Sequence, residues 1–124
     1  MIHKEQVINN IGSGWHSYID IVYNILPELS FCPGIYMIER KSGMLHVTFS
    51  RTDLTSSEQE FILKCIEYKI ERLTAKVCEN CGDYGIRRKD LAETKTLCTK
   101  CYAFAYSEVH PVPSLMAYPK PQII

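Results

Sequence analysis

Four of the chain's six cysteines fall into two identical pairs, Cys78-x2-Cys81 and Cys98-x2-Cys101, with sixteen residues between them. Zinc prefers four soft or borderline ligands in a tetrahedron, and a Cys-x2-Cys turn presents two sulfurs on one side of a tight knuckle. The spacing fits the zinc pattern of two such pairs about fifteen to twenty residues apart. Gly82, directly after the first pair, lets backbone amides fold over the sulfurs, and "YGIRR" and "TKTL" are short enough to form two ribbon strands between the knuckles. The sequence therefore predicts a zinc ribbon with Cys78, Cys81, Cys98 and Cys101 as ligands. An iron centre with four sulfurs and a pair of redox-active dithiols share the spacing, although no βαβ unit surrounds either pair.

Four thiolates close the coordination shell, whereas a catalytic zinc keeps a position open for water. Neither pair follows a proline, as the zinc deaminase signature requires, and no His-Glu-x-x-His occurs. The metal reads as a staple, and no enzyme activity is expected. Four thiolates on a dication leave about two negative charges. Arg87, Arg88, Lys89, Lys95 and Lys100, all within the ribbon, would offset them.

The other chemistry-bearing residues form no catalytic arrangement. Cys65 lies beside an apolar helical stripe and reads as a small core residue. Cys32 precedes a proline in a turn. His16 and His46 have no Asp, Glu or Ser near them in sequence in a triad-like pattern. Gly12-Ser13-Gly14 begins like a dinucleotide fingerprint, but Ser17 occupies the place of the third glycine.

The elements that must carry the cysteines read as follows. Residues 14–26 form a helix with Trp15, Tyr18, Ile19, Val22, Ile25 or Leu26 and Leu29 on one stripe, Ser13 as its cap and Pro27 near its end. Phe31 to Gly34 make a turn. Residues 35–49 alternate as a hairpin reversed at Lys41-Ser42-Gly43. A second helix opens on Ser57 and Glu60 as a capping box and shows Ile62, Ile66, Ile70, Leu73 and Val77 on one stripe, flanked by Phe61 and Cys65. On its other face Glu60–Lys64 is a favourable pair and Glu67–Glu71 a repulsive one. The expected fold is α+β: a helix–hairpin–helix body over residues 1–77, the ribbon over 78–106, and a proline-rich extended tail over 107–124.

That tail has four prolines from residue 110 onward, which exclude a helix, yet it also carries Val112, Leu115, Met116, Tyr118, Ile123 and Ile124. It is expected to dock, on its own body or on a partner. Tyr102, Phe104 and Tyr106 alternate after the last cysteine and at strand spacing would share one face. With Arg87, Arg88 and Tyr118 they are the candidate partner-binding residues, since tyrosine and arginine are enriched at interfaces.

Fourteen basic residues balance fourteen acidic ones, which disfavours nucleic acid, because phosphate neutralisation supplies much of that affinity. A nucleic-acid-binding ribbon using Arg87, Arg88, Lys89 and Lys100 is the alternative to a protein partner. No apolar run approaches the roughly 20 residues needed to span a bilayer. "MIHKEQVINN" lacks the apolar core of a secretory signal, so a cytoplasmic location is expected.

Gly12-Ser13-Gly14-Trp15, the hairpin segment Lys41 to Val47, Cys78-Glu79-Asn80-Cys81-Gly82 and Leu97-Cys98-Thr99-Lys100-Cys101 together resemble a family of small bacterial and prophage proteins. That family has a Gly-x-Gly-Trp helix start, a "KFGGLRFY"-like hairpin and a "CExCG…LCxxC" ribbon. The resemblance covers residues 12–102. It departs in the hairpin, where His46 stands for an arginine and aromatic residues are fewer. It implies a helix, hairpin and helix with a zinc ribbon and no activity. The bacterial setting suggests an immunity or inhibitor protein acting on a toxin or host enzyme.

Overall fold

The computed structural model describes residues 3–29, 31, 33–52 and 54–109. The order is α1 (Lys4–Ile8), a 3-10 turn (Ser13–Trp15), α2 (His16–Ile25), a second 3-10 turn (Leu26–Glu28), β1 (Ile35–Lys41), β2 (Met44–Phe49), α3 (Ser57–Thr74), β3 (Ile86–Arg88), β4 (Lys95–Leu97) and α4 (Thr99–Val109). β1 pairs antiparallel with β2, and β3 with β4, giving two separate hairpins in an α+β arrangement. Among the described residues, no helix is long and apolar enough to cross a membrane.

The main core lies where α2 and α3 cover one face of the first hairpin. Trp15 comes from the first 3-10 turn, Ile19 and Val22 from α2, Leu45, Val47 and Phe49 from β2, and Leu63 and Ile70 from α3. A two-stranded hairpin is marginal alone; here every second residue of β2 is buried under α3. β1 does not keep the predicted parity. A register shift between Ile35 and Met37 inserts one extra residue, so Ile35 is buried, Ile38 packs on the same core and Tyr36 is left outside. Such bulges twist and bend the strand that carries them.

α3 is rotated slightly from the predicted stripe. Leu63, Ile70 and Thr74 are its buried line, Ile62, Ile66 and Val77 are half-buried, and Leu73 and Phe61 face outward. Thr74 explains part of this. Its hydroxyl donates to the Ile70 carbonyl at 2.7 Å and accepts the Leu45 amide at 2.9 Å, tying the helix to β2. The cap lies one residue earlier than predicted: Ser56 Oγ accepts the Gln59 amide at 3.2 Å. The predicted Glu67–Glu71 repulsion is relieved because each acid turns to its own partner. Glu67 takes Arg51 (2.6 Å) and the Phe49 amide (2.9 Å), and Glu71 lies 3.0 Å from His46 Nδ1.

The largest correction concerns the segment after the last cysteine. Residues 99–109 form α4, so Tyr102, Phe104 and Tyr106 do not alternate on a strand. The helix starts on the second knuckle and crosses the expected tail boundary at 106/107. A second small core forms between α4 and the β3–β4 hairpin from Leu97, Cys78 and Cys98, with Leu91, Cys101, Tyr102 and Ala105 against it.

Candidate metal centre

The sulfurs of Cys78, Cys81, Cys98 and Cys101 lie within 4.8 Å of one another. The Cys81 and Cys98 sulfurs are 3.6 Å apart, far beyond a disulfide bond of about 2.05 Å. A tetrahedron with metal–sulfur bonds of about 2.3 Å has sulfur–sulfur edges of roughly 3.8 Å, so the cluster fits four-sulfur coordination. The donor set fits the same conclusion. Without a cation, the four thiols cannot ionise together. The Cys101 amide at 3.4 Å draws Cys98 down to about 7. Burial, then the neighbouring sulfurs, pushes Cys101 up to about 12. At Cys81 a hydrogen bond from the Asp83 backbone pulls down, but burial and the adjacent thiols outweigh it and leave the thiol raised. A dication in the middle would allow four thiolates at neutral pH.

Each pair is presented by its own local structure. Cys78 directly follows the Val77–Tyr84 bridge, and its amide donates to the Asp83 carbonyl at 2.7 Å. The Gly82 amide donates to the Cys78 carbonyl at 3.0 Å, and Gly82 takes φ +86°, a conformation glycine adopts without strain. Cys98 stands just before α4, where the amides of a first helical turn favour a thiolate.

The first knuckle is not a free appendage. Gly14 donates its amide to the Glu79 carbonyl at 2.8 Å, Ser13 Oγ donates to the Asn80 carbonyl at 2.9 Å, and Trp15 Nε1 donates to the Val77 carbonyl at 2.8 Å. A Cβ at Gly14 would stand 2.0 Å from the Cys78 carbonyl oxygen, so only glycine fits. Gly12-Ser13-Gly14-Trp15 is thus the seat of the knuckle. Ser13 serves there, and the residue preceding its 3-10 turn is Gly12.

Glu79, between the first two cysteines, is 4% exposed. Arg40 of β1 donates to it from Nε at 2.8 Å and Nη2 at 3.2 Å, and the Thr96 amide at 3.1 Å. Arg40 also reaches Glu93 at 2.7 Å. The hydrogen bond from Arg40 to Glu79 is the main reason its guanidinium is held above the usual value. On the ribbon side, Thr96 Oγ1 donates to the Gly43 carbonyl at 2.6 Å and Arg87 Nε to the Ser42 carbonyl at 3.0 Å. The turn of the first hairpin therefore rests on the second. Among the links that sequence reasoning missed, Arg40–Glu79 had a charge signal but a separation of 39 residues.

The remaining candidates are placed as follows. Arg88 donates to the Leu97 carbonyl at 3.3 Å and lies 4.2 Å from the Tyr102 ring centroid. Tyr102 donates its hydroxyl to Asp90, which raises the phenol above its ordinary value. Its ring sits 5.6 Å from that of Tyr106, one helical turn on, whereas Phe104 points away and is 71% exposed. Tyr118 and Cys32 lie outside the described residues. Cys65 is exposed, not a core residue, because α3 turns it toward α2 at the surface. His16 Nε2 donates to the Ile11 carbonyl at 2.8 Å, and His46 Nε2 lies 3.2 Å from the Lys41 carbonyl. His3-Lys4-Glu5 is a His-x-Glu sequence; His3 is exposed at the start of α1 and takes no part in the cysteine cluster. No protein-family model, curated protein or solved structure matches the chain.

Proposed function

We propose that the chain is a non-catalytic protein-binding module stapled by one zinc ion, of the immunity or phage-inhibitor kind that neutralises a toxin or host enzyme by direct binding. The observation that carries the reading is the closed set of four sulfurs gathered where the β3–β4 hairpin meets α4. Four cysteines leave zinc no position for water or substrate, so the ion serves folding. Cys78, Cys81, Cys98 and Cys101 would hold it.

Among the charged residues of the ribbon, three large aromatic or apolar side chains also stay exposed. Tyr84, Ile86 and Phe104 are each at least half exposed, the kind of surface that anchors protein interfaces. The two arginines that suited a phosphate contact are engaged within the fold: Arg87 on the hairpin turn and Arg88 on Tyr102. The segments behind the family resemblance also converge physically, since Gly12–Trp15 and the hairpin turn both pack on the ribbon. A cytoplasmic setting with reduced thiols suits such a site.

The test is recovery of tagged protein from its own cytosol with and without nuclease, followed by identification of what accompanies it. One stoichiometric protein that survives nuclease and high salt is expected. Nuclease-sensitive, salt-sensitive recovery would instead make Arg87, Arg88, Lys89 and Lys100 phosphate contacts.

A further inference from the structure

α3 lays one side, with Leu63, Ile70 and Thr74, on the core. Its opposite side carries a second line at helical spacing, Glu58, Phe61, Cys65, Tyr68, Lys69 and Arg72, and all six are exposed. Phe61 is 67% and Tyr68 61% exposed. Toward α2 this line borders an open apolar groove of about 350 Å³, walled by Ile21 and Ile25 of α2 and by Ile66 and Leu73 of α3. Cys65 and Lys69 belong to both line and groove. Two large aromatic rings beside such a groove make contiguous surface of the kind that marks a binding site.

We infer that this face pairs with the same face of a second copy, α3 against α3 in antiparallel order about a two-fold axis beside Cys65. The order of side chains along the line supports it. α3 runs from Ser57 to Thr74, so Cys65 stands at its middle. Glu58 lies seven residues before Cys65 and Arg72 seven after it. A two-fold axis there reverses the second helix and sets Glu58 opposite Arg72 of the second copy, and Arg72 opposite its Glu58. Phe61 comes beside Tyr68 of the second copy, an aromatic contact made twice. A two-fold interface must be its own complement, and a line that reads acid, aromatic, base from end to end is one. Parallel pairing would instead set Glu58 against Glu58.

The charges of this face are also left unpaired by the fold. Among the described residues, Glu58, Lys69 and Arg72 form no ion pair within the chain, whereas Glu60 and Glu67 are paired with Arg51, and Glu71 faces His46. Arg72 lies over its own Tyr68 ring, 5.7 Å from the centroid, which holds the guanidinium on the face. The helix dipole favours an acid in the first turn and a base in the last, but it does not call for the two exposed rings between them. In the pair the two grooves face one another, which takes Ile21 and Leu73 out of water. The face shares no residue with Tyr84, Ile86 and Phe104, so the pairing stands or falls independently of any external partner.

Sedimentation equilibrium of the zinc-loaded, full-length chain is the test. The parent chain should pass from monomer to dimer between about 5 and 200 μM, the range of small interfaces. Phe61→Glu, a change at an exposed ring, should keep the chain monomeric throughout. Glu58→Arg and Arg72→Glu should each weaken dimerisation about tenfold, because both cross-pairs become repulsive. An equimolar mixture of these two variants should restore it, since each mixed dimer again sets an acid opposite a base at both positions. In Cys32→Ser protein, a short bis-maleimide should join two chains through Cys65. Circular dichroism and zinc content verify that each variant is folded, and the parent measurement needs no variant. A parent chain still monomeric at about 200 μM would overturn the proposal and leave the face to another molecule. A dimer that Phe61→Glu does not weaken would overturn it too, and so would a mixture that associates no better than either variant alone.

Discussion

Replacing Arg40 by methionine tests whether the body and the ribbon form one energetic unit. Glu79 is 4% exposed and takes three hydrogen bonds, two of them from Arg40. Arg40→Met leaves its carboxylate buried with the Thr96 amide alone. Breaking a buried ion pair from one side costs about 3–5 kcal/mol. The Arg40 side chain is 23% exposed, so water reaches part of the vacated space and the lower end, about 3 kcal/mol, applies. The lost contact to Glu93 adds little, because that side chain is 62% exposed. With an unfolding entropy of roughly 2.1 cal/mol/K per residue, about 3 kcal/mol corresponds to a fall in Tm of about 10 °C. Urea unfolding in zinc-saturated buffer, followed by Trp15 fluorescence, measures it. Adding Glu79→Gln to Arg40→Met removes the orphaned charge, so the double variant should be more stable than the sum of the singles predicts. A loss below about 0.5 kcal/mol, or strict additivity, would refute the coupling and make the ribbon a separate lobe.

Three further outcomes follow from the same contacts. Gly14→Ala places a methyl against the Cys78 carbonyl and should weaken zinc retention and stability together, measured by chelator competition and thermal melting. Thr74→Val keeps the shape but strips the acceptor from the buried Leu45 amide, so a loss of about 1–3 kcal/mol is expected in urea unfolding; no change would mean that Leu45 finds another partner. The Arg51 hydrogen bond, above all, holds Glu60 below its ordinary 4.5. A carboxylate with a depressed folded value contributes stability above its unfolded value and loses it as pH falls through the folded one. The stability difference between the parent protein and Arg51→Met should therefore be full at pH 7 and shrink on acidification below about 4.5; a difference constant from pH 7 to 3 would contradict it.

The cysteine cluster was legible in the sequence because four-sulfur metal coordination constrains ligand type and spacing so tightly. The four cysteines that pair in sequence are the four that cluster. The helix expected over residues 14–26, seen as a 3-10 turn and α2, and β2 were legible for a similar reason, since Trp15, Ile19 and Val22, and Leu45, Val47 and Phe49, keep one period under one core, whereas α1 was not expected. Period alone failed where two fitted. Tyr102, Phe104 and Tyr106 satisfy a strand's alternation, but Tyr102 and Tyr106 also stand one helical turn apart, and the knuckle at Cys98–Cys101 opens a helix. The bulge at Tyr36 broke the parity of β1 without leaving a glycine or proline to announce it. Cys65 lay on the edge of a stripe whose rotation depends on how α3 meets both β2 and α2. Long-range polar links such as Arg40–Glu79 and Ser13–Asn80 were not legible, because a single charge or hydroxyl carries no address.

The most direct test of the staple is a chelator titration of purified protein, recording released metal and Trp15 emission in one cuvette. Trp15 is fully buried, and its indole donates to Val77, the residue before Cys78. The prediction is about one zinc per chain, released in step with a red shift of Trp15 emission as the first knuckle loosens. Iron, no metal, or zinc that leaves while Trp15 emission stays unchanged would contradict it.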